Sequence, residues 1–282
     1  MALEFVRYGG VEDFLRNVEP FLLKREVENC LILGLSGSLA SGVVVQPPGL
    51  DAPAFYAVID GDEVRAAAMR TSPYKILITR AAGIEMECLI QGIHVVDRGI
   101  PGVGTDKVTG QAFAERWVEI TGKSSRVGMQ LRIHELAEVT APKWPDGKLR
   151  FAETDELDLL YEWLRGFAED AGTTTVRRSE DWVPAAVEAD QVYLWDDGGP
   201  VSMAIWGRAT DNGVSIRGVY TPRDKRNKGY ASAVVAGVSQ LWLDRGKRFA
   251  CLFTDLANPT SNDIYYELGY RPVVDVDDYV FD

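Results

Sequence analysis

Basic charge is scarce in this chain: 30 Lys and Arg stand against 42 Asp and Glu, a formal net charge of −12. Nucleic-acid binding draws on cationic surface that displaces counterions from phosphates, so no nucleic-acid partner is expected. The same sign argues against docking on an anionic bilayer. It favours cationic ligands such as protonated amines, beside the plain role of charge in keeping a protein in solution. Cysteine is scarce as well. Cys30, Cys88 and Cys251 are far apart, odd in number and form no CxxC pair, so neither a disulfide framework nor a zinc site is expected. His94 and His134 fall in no metal-ligand spacing, and no metal is expected. Long apolar runs are missing too. The uncharged stretch 29–50 is broken by Ser36, Ser38, Ser41, Pro47 and Pro48, which argues against a membrane span. The opening MALEFVRYGG has an early glutamate and no apolar h-region, so no signal peptide is read there and a cytoplasmic location is expected.

What is present suffices for two packed domains. The chain has 282 residues, 46% of them hydrophobic and 10% aromatic, where a domain runs to about 100–150 residues. The boundary is expected in 141–148, within a stretch from Val139 to Lys148 that carries Pro142, Pro145 and Gly147. Residues 1–140 and 149–282 then form the two domains. The second half carries 14 Lys and Arg against 23 Asp and Glu, a net of −9.

Periodicity in the second half predicts helix (Asp155–Ala171), three strands (Gln191–Trp195, Val201–Ala209, Val214–Thr221), helix (Lys228–Arg245), strand (Phe249–Thr254), a short helix to Leu268 and a closing strand (Val273–Phe281). The first half gives a weaker version of this order. Strands are predicted at Phe55–Ile59, Val64–Met69 and Tyr74–Thr79, helices at Ala81–Gln91 and Thr105–Thr121, and a strand at Val127–Val139. The expected class is α/β with mixed sheets flanked by helices, duplicated in tandem without a residue-level repeat.

The segment from Gly218 to Ser232 carries the chemistry. A β-branched strand ends at Thr221-Pro222, a basic loop follows, and Gly229 and Ala231 open a helix. Small residues let backbone amides approach a ligand, and a helix N-terminus supplies unpaired N–H donors. Arg223, Lys225, Arg226 and Lys228 make a basic island in an acidic half, suited to a polyphosphate. An ordinary strand–loop–helix joint with a solvated charge run is the plainer alternative. Neither the P-loop pattern nor the Rossmann fingerprint is present.

Arg226-x-x-Gly229-x-Ala231 resembles the Q/R-x-x-G-x-G/A signature of the GCN5-related N-acetyltransferase (GNAT) superfamily. The resemblance implies that Arg226, Asn227, Lys228, Gly229, Tyr230, Ala231 and Ser232 receive the coenzyme A pyrophosphate. It implies that Val219, Tyr220 and Thr221 carry the pantetheine arm. A second segment, from Thr254 to Pro272, is similar to the family's fourth-helix motif. Asn258 and Asn262 are thereby expected to contact the coenzyme arm. Tyr265, four residues before Gly269, is expected near the sulfur as the acid that protonates the leaving thiolate; its other reading is a core aromatic. The first half has Ile78-Thr-Arg-Ala-Ala-Gly-Ile-Glu85 where the turn signature should stand, so no coenzyme site is expected there.

The resemblance implies acetyl transfer from acetyl-CoA to an amine acceptor, expected to be small and cationic. The second half has no histidine, so a histidine base is excluded unless the first half reaches over. Asp255 is the carboxylate named for that role, against a helix-cap or loop role. Cys251 reads as a buried strand residue. Trp182 lies in the segment 177–184, where the family has its acceptor loop, and is read as packing or as a cation-holding ring. A non-catalytic acyl-CoA sensor is the alternative function. The oligomeric state is not readable.

Overall fold

The computed structural model describes residues 3–44, 46, 48–172 and 179–282. The first half runs β1 (Glu4–Tyr8), α1 (Val11–Leu22), α2 (Cys30–Ala40), β2 (Ala54–Asp60), β3 (Glu63–Arg70), β4 (Ile76–Ile78), α3 (Gly83–Val96), β5 (Gly102–Asp106), α4 (Lys107–Thr121) and β6 (Ser125–Leu136). The second runs β7 (Lys148–Phe151), α5 (Leu157–Asp170), α6 (Val183–Glu188), β8 (Val192–Asp196), β9 (Pro200–Gly207), β10 (Gly213–Tyr220), α7 (Tyr230–Asp244), β11 (Phe249–Asp255), α8 (Pro259–Glu267) and β12 (Arg271–Phe281).

The twelve strands form one continuous sheet, in the order β1-β2-β3-β4-β5-β12-β6-β11-β10-β9-β8-β7. The halves exchange their last strands. β12 lies between β5 and β6, antiparallel to both, and β6 pairs with β11, from Ala250↔Leu136 to Asp255↔Leu131. Ion pairs across the exchange join Arg132 to Asp275 at 2.6 Å and Lys75 to Asp278.

Alternation along the strands sends side chains to opposite faces. In the second half, Tyr193, Val201, Val214, Ile216 and Leu252 pack under α7. Val192, Leu194, Met203 and Ile205 meet α5 and α6 on the other face. The first half repeats this. Tyr56, Val58, Ala66 and Ala68 pack beneath α3 and α4, and Phe55, Ala57, Ala67 and Met69 beneath α1 and α2. The expected class, a mixed sheet flanked by helices and built twice, is the fold observed.

The expected helix from Thr105 needs correction: Thr105 and Asp106 end strand β5, and α4 starts at Lys107 with the Asp106 carboxylate accepting the Thr109 N–H at 3.2 Å. β5 reads Gly-Val-Gly-Thr-Asp, a poor strand sequence, because β12 lies so close. A Cβ on Gly102 would stand 2.1 Å from the Tyr279 carbonyl oxygen. The expected strand Tyr74–Thr79 shortens to Ile76–Ile78. The expected linker is packed down: Trp144 stacks on Trp195, ring centroids 5.8 Å apart, and Lys148 already belongs to β7. No helix among the described residues is long and apolar enough to cross a membrane.

Candidate functional site

β10 and β11 are parallel but pair only from Gly213↔Phe249 to Ser215↔Cys251. Beyond that rung they part. β10 stays with β9 as far as Tyr220↔Met203, through a bulge at Gly218, whose φ is +58°. β11 stays with β6. The facing edges from Ile216 and from Leu252 onward therefore bound a wedge, in which backbone N–H and C=O groups are left for a ligand. The wedge opens into a cleft of about 1910 Å³ that runs across the sheet between the helices of the two halves.

The chain leaves β10 through Thr221 and Pro222, makes a short helical turn at Arg223–Lys225 and enters α7 after two left-handed residues, Asn227 (φ +62°) and Gly229 (φ +83°). Gly229 occupies a conformation that disfavours any Cβ. No side chain caps α7, and its first intrahelical bond is Ala233 N–H to the Gly229 carbonyl at 2.9 Å. The amides of the first turn are thus without a main-chain acceptor on residues that line the cleft, the arrangement that binds anions at helix starts. The two arginines brace the loop. Arg226 donates to the Thr221 carbonyl at 2.9 Å and pairs with Asp170 at the end of α5, and Arg223 pairs with the same carboxylate at 2.8 Å. These bonds hold the Asp170 carboxyl below its usual range. The Tyr230 ring is buried and its hydroxyl donates to Asp197 in the β8–β9 turn. The Tyr220 ring lies on Gly166 of α5, where a Cβ would come within 2.3 Å of the phenol oxygen. Both tyrosine side chains are scaffold.

Of the residues singled out from sequence, Val219, Tyr220, Thr221, Arg226, Asn227, Gly229, Tyr230, Ala231 and Ser232 all line the cleft, as do Asp255, Asn258 and Tyr265. Lys228 and Asn262 do not line it. Lys228 is exposed on the loop. The Asn262 amide donates to the carbonyls of Asp255 (3.0 Å) and Asn258 (2.8 Å) and accepts from the Thr254 hydroxyl at 2.6 Å. It ties α8 to β11. Asn258 caps α8 through Ser261 N–H at 3.1 Å.

Tyr265 on α8 is half-buried, meets Tyr270 edge-on at 5.8 Å and has no hydrogen-bond partner for its hydroxyl among the described residues. Burial pushes that hydroxyl far above the usual tyrosine range, so it keeps its proton. The Asp255 carboxylate accepts the Ala257 N–H at 2.8 Å, a turn-stabilising bond. Cys251 is buried beside Cys30, and the hydrogen bond between the two thiols, with burial, holds its pKa well up. Trp182 lies under the Arg217 guanidinium at 4.8 Å. The Arg177–Arg178 part of the expected acceptor loop lies outside the described residues.

Two features were not legible. The strand exchange brings His134 of the first half to 3.5 Å from the Thr254 hydroxyl, so the first half does reach over. Burial and the nearby Arg132 lower the His134 pKa, but the ring is buried and does not line the cleft. Arg208, the residue after β9, lines the cleft, and nothing in its local sequence marked it. In the first half the corresponding wedge is small: β4 and β5 pair at Ile76↔Val103 and Leu77↔Gly104. The Thr109 hydroxyl contacts both the N–H and the carbonyl of Ala81 at 3.3 Å, which closes the turn.

Residues 195–279, which span the wedge, α7 and α8, match the family model described as FR47-like protein. Comparison with curated proteins gave no match. Among solved structures, a GCN5-related N-acetyltransferase from Sphaerobacter thermophilus is 17% identical over 99% of this chain and 95% of that chain, with a TM-score of 0.61. A tandem GNAT protein from the clavulanic acid biosynthesis pathway is 13% identical over 100% and 98%, with a TM-score of 0.57. A GNAT-family acetyltransferase from Colwellia psychrerythraea is 12% identical over the whole of both chains, with a TM-score of 0.56. At these identities the likeness speaks for the fold. With an FR47-like match over residues 195–279 and full-length likeness to a tandem structure, the chain has the GNAT fold in its tandem arrangement.

Proposed function

We propose that this protein is an N-acetyltransferase that passes an acetyl group from acetyl-CoA to a small primary amine, cationic at its amino group in solution. The observation that carries the reading is the wedge between β10 and β11 joined to the uncapped start of α7. One holds an extended thioester arm by main-chain bonds and the other a pyrophosphate. Residues 149–282 are the proposed acetyl-CoA-binding domain, 141–148 the linker, and 1–140 a partner domain that walls the acceptor side.

In the proposed reaction the amine attacks the thioester carbonyl directly. The C–N bond forms, the C–S bond breaks, and the thiolate takes the proton of Tyr265. Holding both reactants in one cleft supplies much of the rate. A main-chain N–H of β10 near Val219 is proposed to stabilise the carbonyl oxygen. The ammonium proton leaves through water to Asp255, which has one carboxylate oxygen engaged with Ala257.

The test is calorimetric titration of acetyl-CoA into the wild type and into Gly229→Glu. At φ +83° any side chain is strained, and glutamate adds negative charge where the pyrophosphate is proposed to sit. Micromolar binding that is lost in the variant, followed by thiol release with an amine panel, supports the enzyme. Binding without turnover supports the sensor reading, and no binding to the folded wild type removes both.

A further inference from the structure

The GNAT reading leaves Arg208 without a role, yet Arg208 stands apart from the other cations of the described residues. It follows the last residue of β9 in a left-handed conformation, φ +48°, which costs a non-glycine residue about 1–2 kcal/mol. The conformation is held from the other half of the chain. Gly34 of α2 lies so close that a Cβ there would stand 2.5 Å from the Arg208 Cβ and 2.7 Å from its carbonyl oxygen. Arg208 lines the cleft. Among the described residues it has neither a hydrogen bond nor an ion pair. The ionisable groups that act on it are Cys30, Cys251 and Tyr74, none of them a carboxylate, and burial pushes its pKa below the usual arginine range. A desolvated guanidinium without an anion is costly, and in a chain with 42 acidic residues none has been brought to it.

Position separates the possible anions. Arg208 adjoins Gly207, which is in register with Ser215, and Ser215 is the last residue to pair with β11 before the wedge opens. The proposed phosphate site begins beyond Tyr220, five residues further along β10, about 16 Å away at roughly 3.3 Å per residue. Arg208 is therefore at the closed end of the wedge, beyond the Val219 N–H proposed for the carbonyl oxygen and on the side away from the phosphates, four residues or about 13 Å along β10 from it. It is not at the coenzyme phosphates. A planar fork of donors on the acceptor side of the thioester matches a carboxylate in two-point contact.

We propose that the acceptor is an amino acid or similar amino-carboxylate, whose carboxylate is held by Arg208 while its amine faces the thioester. This rests on the acyltransferase reading for the amine and the thioester. The carboxylate pocket itself is testable without either.

The probes are a panel of N-acetyl-L-amino acids, the products such a reaction would give, each paired with its neutral amide. They are titrated by calorimetry into the wild type, Arg208→Gln and Arg208→Lys. At least one acid is expected to bind the wild type roughly 10- to 100-fold more tightly than its amide, the range of a charge-assisted contact. That preference disappears in Arg208→Gln and is only partly kept in Arg208→Lys. Equal binding of acids and amides, no binding of any acid, or an acid preference retained in Arg208→Gln overturns the proposal. If Arg208→Gln does not fold, the acid-against-amide comparison in the wild type decides alone. Acetyl-CoA is titrated into the same proteins. Its binding is expected to be unchanged in Arg208→Gln, and a loss there assigns Arg208 to the coenzyme and overturns the proposal. Failure of acetyl-CoA to bind even the wild type sinks the acyltransferase reading but leaves the carboxylate result standing.

Discussion

Tyr265→Phe isolates the proposed acid from the scaffold. The phenol oxygen has no partner among the described residues, so its removal strands no donor or acceptor. The net loss of about 1 kcal/mol that accompanies a broken hydrogen bond has no source here, and the ring contact with Tyr270 at 5.8 Å persists. Unfolding free energy is expected to change by less than ~0.5 kcal/mol. The effect on turnover is set by proton transfer to the leaving sulfur. A positioned general acid contributes about 10²–10⁴-fold, or roughly 2.7–5.4 kcal/mol at 1.36 kcal/mol per factor of ten. Burial raises the pKa of this hydroxyl. That makes it a reluctant donor to a thiolate whose conjugate acid has a pKa near ~8.5. The lower end, about 10²-fold in kcat, is therefore expected, with acetyl-CoA affinity unchanged. Thiol release at saturating acetyl-CoA with an accepted amine gives kcat, and calorimetry gives the affinity. A kcat within twofold of wild type, or a loss carried wholly by acetyl-CoA affinity, refutes Tyr265 as the acid.

Neither half is expected to fold alone, because residues 149–282 without β6 leave one edge of β11 bare and β12 without either neighbour. Co-expression of 1–140 with 149–282 should restore a cooperative melt, and such a melt from 149–282 by itself would contradict the strand exchange. Gly34→Ala places a methyl 2.5–2.8 Å from Arg208 Cβ, Cα and carbonyl oxygen. These are backbone-anchored atoms with little room to yield, so a loss of about 1–3 kcal/mol is expected in urea unfolding, and an unchanged midpoint would show that α2 does not press on Arg208. His134 has its pKa lowered in the folded state by burial and by Arg132, so the unfolded chain binds its proton first. Stability contributed by the neutral ring is full above the unfolded pKa of about 6.5 and falls as pH drops below it towards the folded value. His134→Gln should flatten urea midpoints in that window, and an unaltered slope would clear the histidine of the effect.

The second half was legible because its elements carry their own signals. Leu157, Leu160, Trp163 and Leu164 mark a helix face, Asp196 to Pro200 a turn, and Gly229 a left-handed entry into α7. The anion cradle follows from those residues alone, since it is made by local backbone. What escaped depends on partners distant in sequence. β5 looks unlike a strand because its glycines answer to Tyr279 and Asp278, more than 170 positions away. Asn262 looked like a ligand contact because its motif fixes its place at the start of α8, while the three bonds that occupy its amide come from the fold of β11 onto that helix. Arg208 looked like any strand-end arginine, and only the approach of α2 and the lack of a carboxylate set it apart.

The strand exchange also explains why one half can lose its coenzyme turn and still be needed. β6 is the strand that keeps β11 turned away from β10, and the wedge exists because β11 is paired on that side and free on the other. α2 then lies over the closed end of the wedge and fixes the Arg208 backbone. Glu26, just before α2, accepts from the Asn212 main-chain and side-chain N–H groups at 2.8 and 2.7 Å, which fastens the start of β10 to the first half. The first half therefore acts on the site through three contacts, one at β11, one at β10 and one at Arg208. Substitutions at Glu26 or Gly34 should alter the acceptor end of the cleft while leaving the phosphate end, built from Thr221 to Ser232 and braced by Asp170 and Asp197 of the same half, as it is. Acceptor affinity would then fall in such variants with no change in acetyl-CoA affinity, and a matched loss of both would mean that the two ends of the cleft are not mechanically separate.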